Sequence, residues 1–191
     1  MIRSTALLTG SMALVLWSSP GSHPGDGPLR VPENVHGWAI SVPVGEPFTD
    51  GFEALYFDTT SDVRIDAVDI VPGDIGLEVV GVRMAGNDRA AGLVQYFPTF
   101  PPESDELGPL LDPIGATFPP VPGEIMPHWE LLIGLRLTSE ERVVRQGLAI
   151  SYSVDGVAYR ETLPAFLAVC PGIDSQRCPL GDPQRGMTLT R

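Results

Sequence analysis

The chain has 191 residues, with 12 basic against 24 acidic side chains and a formal net charge of −12. That balance repels nucleic-acid phosphates and anionic lipid headgroups, so neither is expected as a partner. Every basic residue is Arg and none is Lys, which excludes a Walker phosphate loop, a Ser-x-x-Lys acyl-transfer site, a Schiff-base enzyme and a Ser-Lys protease, since each needs a lysine amine.

The N-terminus reads as an export signal. "MIRST" carries one Arg, "ALLTGSMALVLW" is a short apolar run, and "SSPGSHPGDGP" follows with small residues and prolines; this is the layout of a secretory signal peptide. Cleavage after Gly21, with Ser19 three positions before the cut, fits the small-x-small rule. The alternative is an uncleaved anchor, but the run is short for a hydrocarbon core of ~30 Å. No Cys follows the apolar run, so a lipid-modified N-terminus is not expected, and no later stretch is long enough to span a membrane. The expected organisation is a signal peptide at 1–21, a Gly/Pro linker at 22–35, a β-sandwich domain at 36–171 and a C-terminal tail at 172–191. The mature chain, about 170 residues, is the length of one domain and buries roughly two-thirds of its unfolded surface.

From residue 36 onward the pattern is β-like. "GWAISVPV" (37–44) and "ALYFDTT" (54–60) are short aromatic and branched runs. "VRIDAVDIV" (63–71) starts with Val63 and Ile65 on one face and then changes phase to Val68 and Ile70, the mark of a β-bulge. "GLEVVGVRM" (76–84) is apolar on both faces, which predicts cover above and below. "WELLIGLRLT" (129–138) sets Trp129, Leu131, Ile133, Leu135 and Leu137 on one face, with Glu130 and Arg136 on the other. Turn clusters ("GEP", "DTTSD", "PGD", "AGND", "TSEE") separate these runs, as in an antiparallel sandwich or barrel.

"LAISYSVDGVAYRETL" (148–163) reads as a hairpin on a two-residue Asp155-Gly156 turn. The turn sets the register: Val154 opposite Val157, Tyr152 opposite Tyr159, Ile150 opposite Glu161, and Leu148 opposite Leu163. Glu161 is the one misfit on an otherwise apolar inner face. It is either a carboxylate held in an apolar setting with a raised pKa, or the site of a bulge, a strand end or a contact to Arg.

"FPTFPPESDELGPLLDPIGATFPPVPGEIMP" (97–127) holds nine of the twenty prolines and divides the β-pattern in two. Its prolines are expected to keep it out of the sheets, with at most one helical turn, begun by Pro109. Loops of this length are uncommon in compact domains and often functional. Leu107, Leu110, Leu111, Ile114 and Phe118 make it far more apolar than a plain linker, and Glu103, Asp105, Glu106 and Asp112 give it an acidic edge. It is either a recognition element or a cap on the sandwich; both readings stand.

Catalytic and metal motifs are sparse. Met126, His128 and Trp129 in "MPHW", with Met84 and His36, raise a Met/His copper site, but Cys170 and Cys178 follow the last histidine, which is not the order of a blue-copper loop. Zinc would need His36, His128, Cys170 and Cys178 to converge without any close ligand pair. "DTT" (58–60) is not the Asp-Thr/Ser-Gly of aspartic proteases, and no Gly-x-Ser-x-Gly occurs. A hydrolase built on carboxylates without a sequence signature stays open, with the acids of "DTTSD" and "PESDE" as candidates. No catalytic residue, metal ligand or cofactor is assigned. The even pair Cys170 and Cys178, in an exported protein, predicts a disulfide.

The stretches "FEALYFDTTSDVRIDAVDIVPGDIGLEVVGVRM" and "LLIGLRLTSEERVVRQGLAISYSVDGVAYRETLPAFLAVC" share a Gly-Leu-Arg strand, a Tyr-containing hairpin and a Leu-Pro segment ending in Cys. Over 38–171 they resemble the uncharacterised exported immunoglobulin-like β-sandwich proteins of high-GC Gram-positive bacteria. The resemblance implies an all-β, antiparallel two-sheet immunoglobulin-like sandwich carrying a long proline-rich loop, and it transfers no catalytic residue. The function expected is a non-catalytic extracytoplasmic module, secreted or envelope-associated, that binds a protein or a cell-envelope component. The alternatives are the hydrolase and the Met/His metal handler.

Overall fold

The Asp155-Gly156 turn places both residues at positive φ, 50° and 78°, and the strands on either side pair in the register the turn dictates, from Val154↔Val157 to Leu148↔Leu163. The computed structural model describes residues 23–24, 27–32, 36–73, 76–86, 95–119, 129–172 and 178–179. Among them the strands are β1 (His23–Pro24), β2 (His36–Val42), β3 (Pro47–Leu55), β4 (Val63–Val71), β5 (Leu77–Ala85), β6 (Tyr96–Phe97), β7 (Leu110–Leu111), β8 (Thr117–Phe118), β9 (Trp129–Leu137), β10 (Val143–Arg145), β11 (Gly147–Val154), β12 (Val157–Leu163) and β13 (Ala165–Pro171). The proposed signal peptide lies outside the described residues.

The hairpin is longer than its sequence signal. β10 runs through Gln146 into β11, and β12 runs through Pro164 into β13, so the two arms stay paired on both sides of a kink. One layer has the order β6-β3-β9-β5-β7. The other has β1-β12-β11-β4-β8, which the long hairpin extends into β10-β13-β2. β3-β9-β5 facing β4-β11-β12 is the B-E-D and C-F-G arrangement of a constant-type immunoglobulin sandwich. β2 closes the extension by pairing parallel with β13. A single apolar core lies between the layers, with Phe48, Ile65, Leu131, Ile133, Leu135, Ile150, Tyr152 and Leu167 among its members.

Two bulges fix what faces this core. In β4 the register slips between Ser151↔Ala67 and Tyr152↔Ile65, leaving Asp66 unpaired. The slip lets Val63, Ile65, Val68 and Ile70 all be buried despite the phase change in their sequence. In β3, Asp50 pairs with Ile133 and Glu53 with Leu131, three residues against two. On a regular strand, residues three apart face opposite sides; the bulge turns both carboxylates inward.

The outer face of β9 and β5 is also covered. Gly134 and Gly81 are register partners, and the ring of Phe100 lies on them so closely that a Cβ on either would come within 3.0 Å of it. Arg83 stacks over the same ring at 5.8 Å, Thr49 Oγ1 donates to the Thr99 carbonyl at 2.5 Å, and Leu107 is fully buried with Ala85 and Leu132. This explains the double-sided apolar pattern of 76–84, and it buries Glu130 on a face whose alternation pointed to solvent.

Three expectations need correction. The stretch read as a linker, 22–35, is in part sandwich: His23–Pro24 pair in parallel with Tyr159–Arg160, and Leu29 is buried and bridged to Phe57. Its Gly/Pro content reflects close approach rather than freedom, since a Cβ on Gly27 would collide with the Tyr152 hydroxyl. The helical turn lies at Asp105–Leu107, not after Pro109. Ser104 caps it by accepting from Glu106 N, and Gly108 ends it at φ 64°. Nor do the prolines exclude the segment from the sheets, because Pro109, Pro113 and Pro119 flank its two short strands instead of interrupting them.

Gly134→Ala is expected to destabilise the fold by about 1–3 kcal/mol, because the added methyl meets an aromatic ring that is pinned on its far side. Phe100→Ala in the same chain should remove most of that penalty. Denaturant titration of the two single variants and the double variant checks this as a non-additive cycle.

Candidate functional site

The segment from 97 to 119 is a strap joining the layers. β7 pairs with Met84–Ala85 at the edge of one sheet. Six residues later β8 pairs with Val63–Arg64 at the edge of the other. Between them Ile114 bridges in parallel to Ile65, and Gly115 N donates to the Ile65 carbonyl at 2.8 Å. The five residues singled out in sequence therefore divide. Leu107 is fully buried and Phe118 is buried against the Trp129 ring, with centroids 5.1 Å apart. Leu110 is half-buried against the Leu107 cluster. Leu111 and Ile114 face outward, 41% and 45% exposed. Of the acids, Glu103, Asp105, Glu106 and Asp112 are all exposed, and Asp112 lies 3.8 Å from Arg83. Residues 120–127 of the loop lie outside the described residues.

Glu161 is buried opposite Ile150, as its register requires. No hydrogen bond or ion pair joins it to an Arg among the described residues, and the β11–β12 register runs regularly through it. Its Oε2 accepts from the Tyr152 hydroxyl at 2.8 Å and its Oε1 from Gly27 N at 2.8 Å, while Leu29 N donates to the Tyr152 oxygen at 3.0 Å. Burial, with Glu161 alongside, pushes the Tyr152 phenol above its usual range. The misfit carboxylate thus holds the N-terminal segment against the sandwich.

A second polar centre sits in the core. Arg145, fully buried on β10, bonds Asp50 through Nη1, Glu53 Oε1 through Nη2 at 2.9 Å, and the Ala165 carbonyl through Nε at 3.0 Å. Trp38 Nε1 donates to Asp50 Oδ1 at 3.1 Å. Burial pushes the Asp50 carboxyl up to about 6, against the pull of Arg145. No sequence motif announced this cluster. Its only local trace was an Asp-Gly-x-Glu interruption in an otherwise apolar run.

At the turn end of the hairpin an open depression is lined by Gly27, Pro28, Asp58, Thr59, Val154, Asp155, Val157 and Tyr159. It contains two carboxylates, the pattern a glycoside hydrolase would need. However, Asp58 is ion-paired with Arg30, which holds its carboxyl below the ordinary range and unsuited to proton donation. Asp155 accepts from Ser61 Oγ at 2.7 Å.

Cys170 and Cys178 form a disulfide with Cα atoms 5.5 Å apart, so neither is a free thiolate ligand. Beyond the bridge, the Pro179 carbonyl accepts from Arg142 Nε at 3.1 Å. Met84 is buried in the core; Met126 and His128 lie outside the described residues. Among the described residues no three His, Cys, Asp or Glu side chains gather as a metal site, and no helix is long and apolar enough to cross a membrane.

No protein-family model matches the chain, and no curated protein matches it. Among solved structures it is similar to the PapD-like (ASH) domain 7 of human CEP192, at 10% identity and a TM-score of 0.37, covering 86% of this chain and 99% of that one. The sandwich assignment rests on the strand order and register of this chain itself.

The division within the strap gives a stability contrast. Leu107→Ala should cost about 2–5 kcal/mol, because it empties a sealed contact. Leu111→Ala should stay within about 0.5 kcal/mol of the parent. Urea unfolding midpoints of the two variants check this.

Proposed function

We propose that the protein is an exported, non-catalytic β-sandwich module that binds an extracytoplasmic protein or a cell-envelope component, and that it does so through residues 110–115. The observation that carries the reading is the placement of Leu111 and Ile114. They are large aliphatic side chains left facing outward on a short crossing that is pinned by strand pairing at both ends. A surface already ordered before contact loses little conformational freedom on binding. The acids around it add orientation, and the absence of lysine removes several covalent chemistries that would compete with a binding role. Resemblance to exported immunoglobulin-like proteins of high-GC Gram-positive bacteria supports the same compartment.

Affinity capture of the exported protein from envelope extracts tests the surface. The pair Leu111→Ser and Ile114→Ser should leave the melting temperature within about 2 °C of the parent, since neither side chain is buried, and should abolish capture of the parent's partner. Undiminished capture by that double variant would overturn the assignment of the surface. The compartment is tested separately by mass spectrometry of the mature N-terminus, expected between residues 18 and 26. An intact Met1 on protein confined to the cytoplasm would end the export reading.

A further inference from the structure

We propose that the depression at the turn end of the hairpin is a saccharide-binding site: Asp58, Thr59 and Asp155 take the hydroxyl groups of a short neutral saccharide, and Tyr159 and Val157 take the C–H face of one of its rings. The site shares no residue with the 110–115 surface and is tested independently of any partner captured there.

The depression has a volume of about 550 Å³, within the roughly 300–1,000 Å³ of small-molecule sites. Three separate segments frame it, and each is fastened to another. Asp58 N donates to the Pro28 carbonyl at 2.7 Å, and Arg30 N to the Tyr56 carbonyl at 2.8 Å. From the same loop, Ser61 Oγ donates across to Asp155 Oδ2 at 2.7 Å. The Asp155-Gly156 turn is itself set by two positive φ angles. Walls held in this way are ordered before a ligand arrives, which lowers the cost of binding.

The polar groups of the wall are tethered by one atom and keep another for a ligand. Asp58 Oδ1 accepts from Arg30, which leaves its second oxygen to accept. Asp155 keeps Oδ1 in the same way. Thr59 Oγ1 accepts from Ser61 N at 3.0 Å, so its hydroxyl hydrogen is left to donate. Beside them lies an apolar strip. Val157 and Tyr159, two apart on β12, share a face; Val157 is 43% exposed, and the half-buried Tyr159 ring is stacked on Tyr152 with centroids 5.4 Å apart. A sugar ring is divided likewise, with C–H groups on its face and hydroxyls, each donor and acceptor, around its rim. Charge narrows the class. Arg30 offsets Asp58, but Asp155 is met only by the neutral Ser61 hydroxyl. That carboxylate and the net charge of −12 repel an anionic sugar. The Arg30 hydrogen bond lowers the Asp58 carboxyl, so it stays an acceptor and protonates no glycosidic oxygen. The site binds without cleaving.

Amide ¹H–¹⁵N NMR titration of the purified protein with maltotriose, cellotriose, mannotriose and chitotriose, each taken to millimolar concentration, tests this. At least one should shift the resonances of Asp58, Thr59, Asp155 and Tyr159 saturably. No saturable shift with any of the four would overturn the proposal, and this arm needs no variant. Asp155→Asn keeps a turn sequence that Asn-Gly suits equally well, and Thr59→Val keeps the shape without the hydroxyl. Each should weaken the saccharide about 10-fold, the scale of one lost hydrogen bond to a ligand; unchanged affinity in both would refute the assigned residues. Shifts of the same resonances by ethylammonium, with none by the saccharides, would overturn the proposal in favour of a cation site.

Discussion

Arg145 is the constraint around which the sandwich is arranged. A guanidinium sealed between two sheets is tolerable only if its donors are met, and two distant segments, β3 and the start of β13, meet them. Asp50 and Glu53 come from the opposite layer, which is why β3 carries its bulge: without the extra residue one acid would point outward. The Ala165 carbonyl comes from the arm of the hairpin that Pro164 kinks. At that kink the ladder changes from β11–β12 pairing to β10–β13 pairing. One side chain therefore ties the bulge in one sheet to the kink in the other and fixes how the layers sit. A buried ionic group is a weak source of net stability, because desolvation consumes much of the Coulomb gain. Its value here lies in register. A slip of β3 against β9 by one residue would turn both carboxylates to the other face and strand the cation.

The strap obeys a different constraint, that of a sheet apolar on both faces. Leu132, Gly134 and Ala85 face away from the main core and need cover, and a proline-rich chain supplies it without competing for the ladder hydrogen bonds. The glycine pair creates the flat floor, Phe100 fills it, and Leu107 seals the far end. Once anchored this way, the chain must still cross from β7 on one sheet to β8 on the other. The crossing is too short to turn Leu111 and Ile114 inward. Cap and candidate recognition surface are thus parts of one segment, divided by residue and not by domain.

What could be read from the sequence was local. The hairpin register followed from two turn residues, and the bulge of β4 was visible as a phase change between Ile65 and Val68 because strand alternation is a short-range property. β3 was not legible: "PFTDGFEAL" carries two acids and a glycine, which look like a turn until the partner 92 to 95 residues away is known. Glu161 misled for the same reason. It sits correctly in its strand, but what makes its burial tolerable lies in distant chain, as Gly27 and Tyr152 show. The candidate loop was legible as apolar. Which of its aliphatic residues are covered was not, since that depends on the far edges the strap reaches.

The same distant contacts govern how the sheets end. Four of the edge strands, β1, β6, β7 and β8, are each two residues long, while β2, at the edge of the extension, has seven, and very short edge strands resist pairing with a second chain. β1 is held at its place by Glu161, which fastens Gly27 just downstream, and by the Leu29 bond to Tyr152. Loss of the Glu161 carboxylate would therefore act in two places. It would leave the Tyr152 hydroxyl and Gly27 N without their acceptor in the interior, a cost of about 1–3 kcal/mol per buried group. It would also release the segment that shields the β12 edge, baring Tyr159 and the aliphatic Val157, which is already 43% exposed. A carboxylate that looks like an error in the inner face is in this way what keeps the hairpin from becoming an open edge.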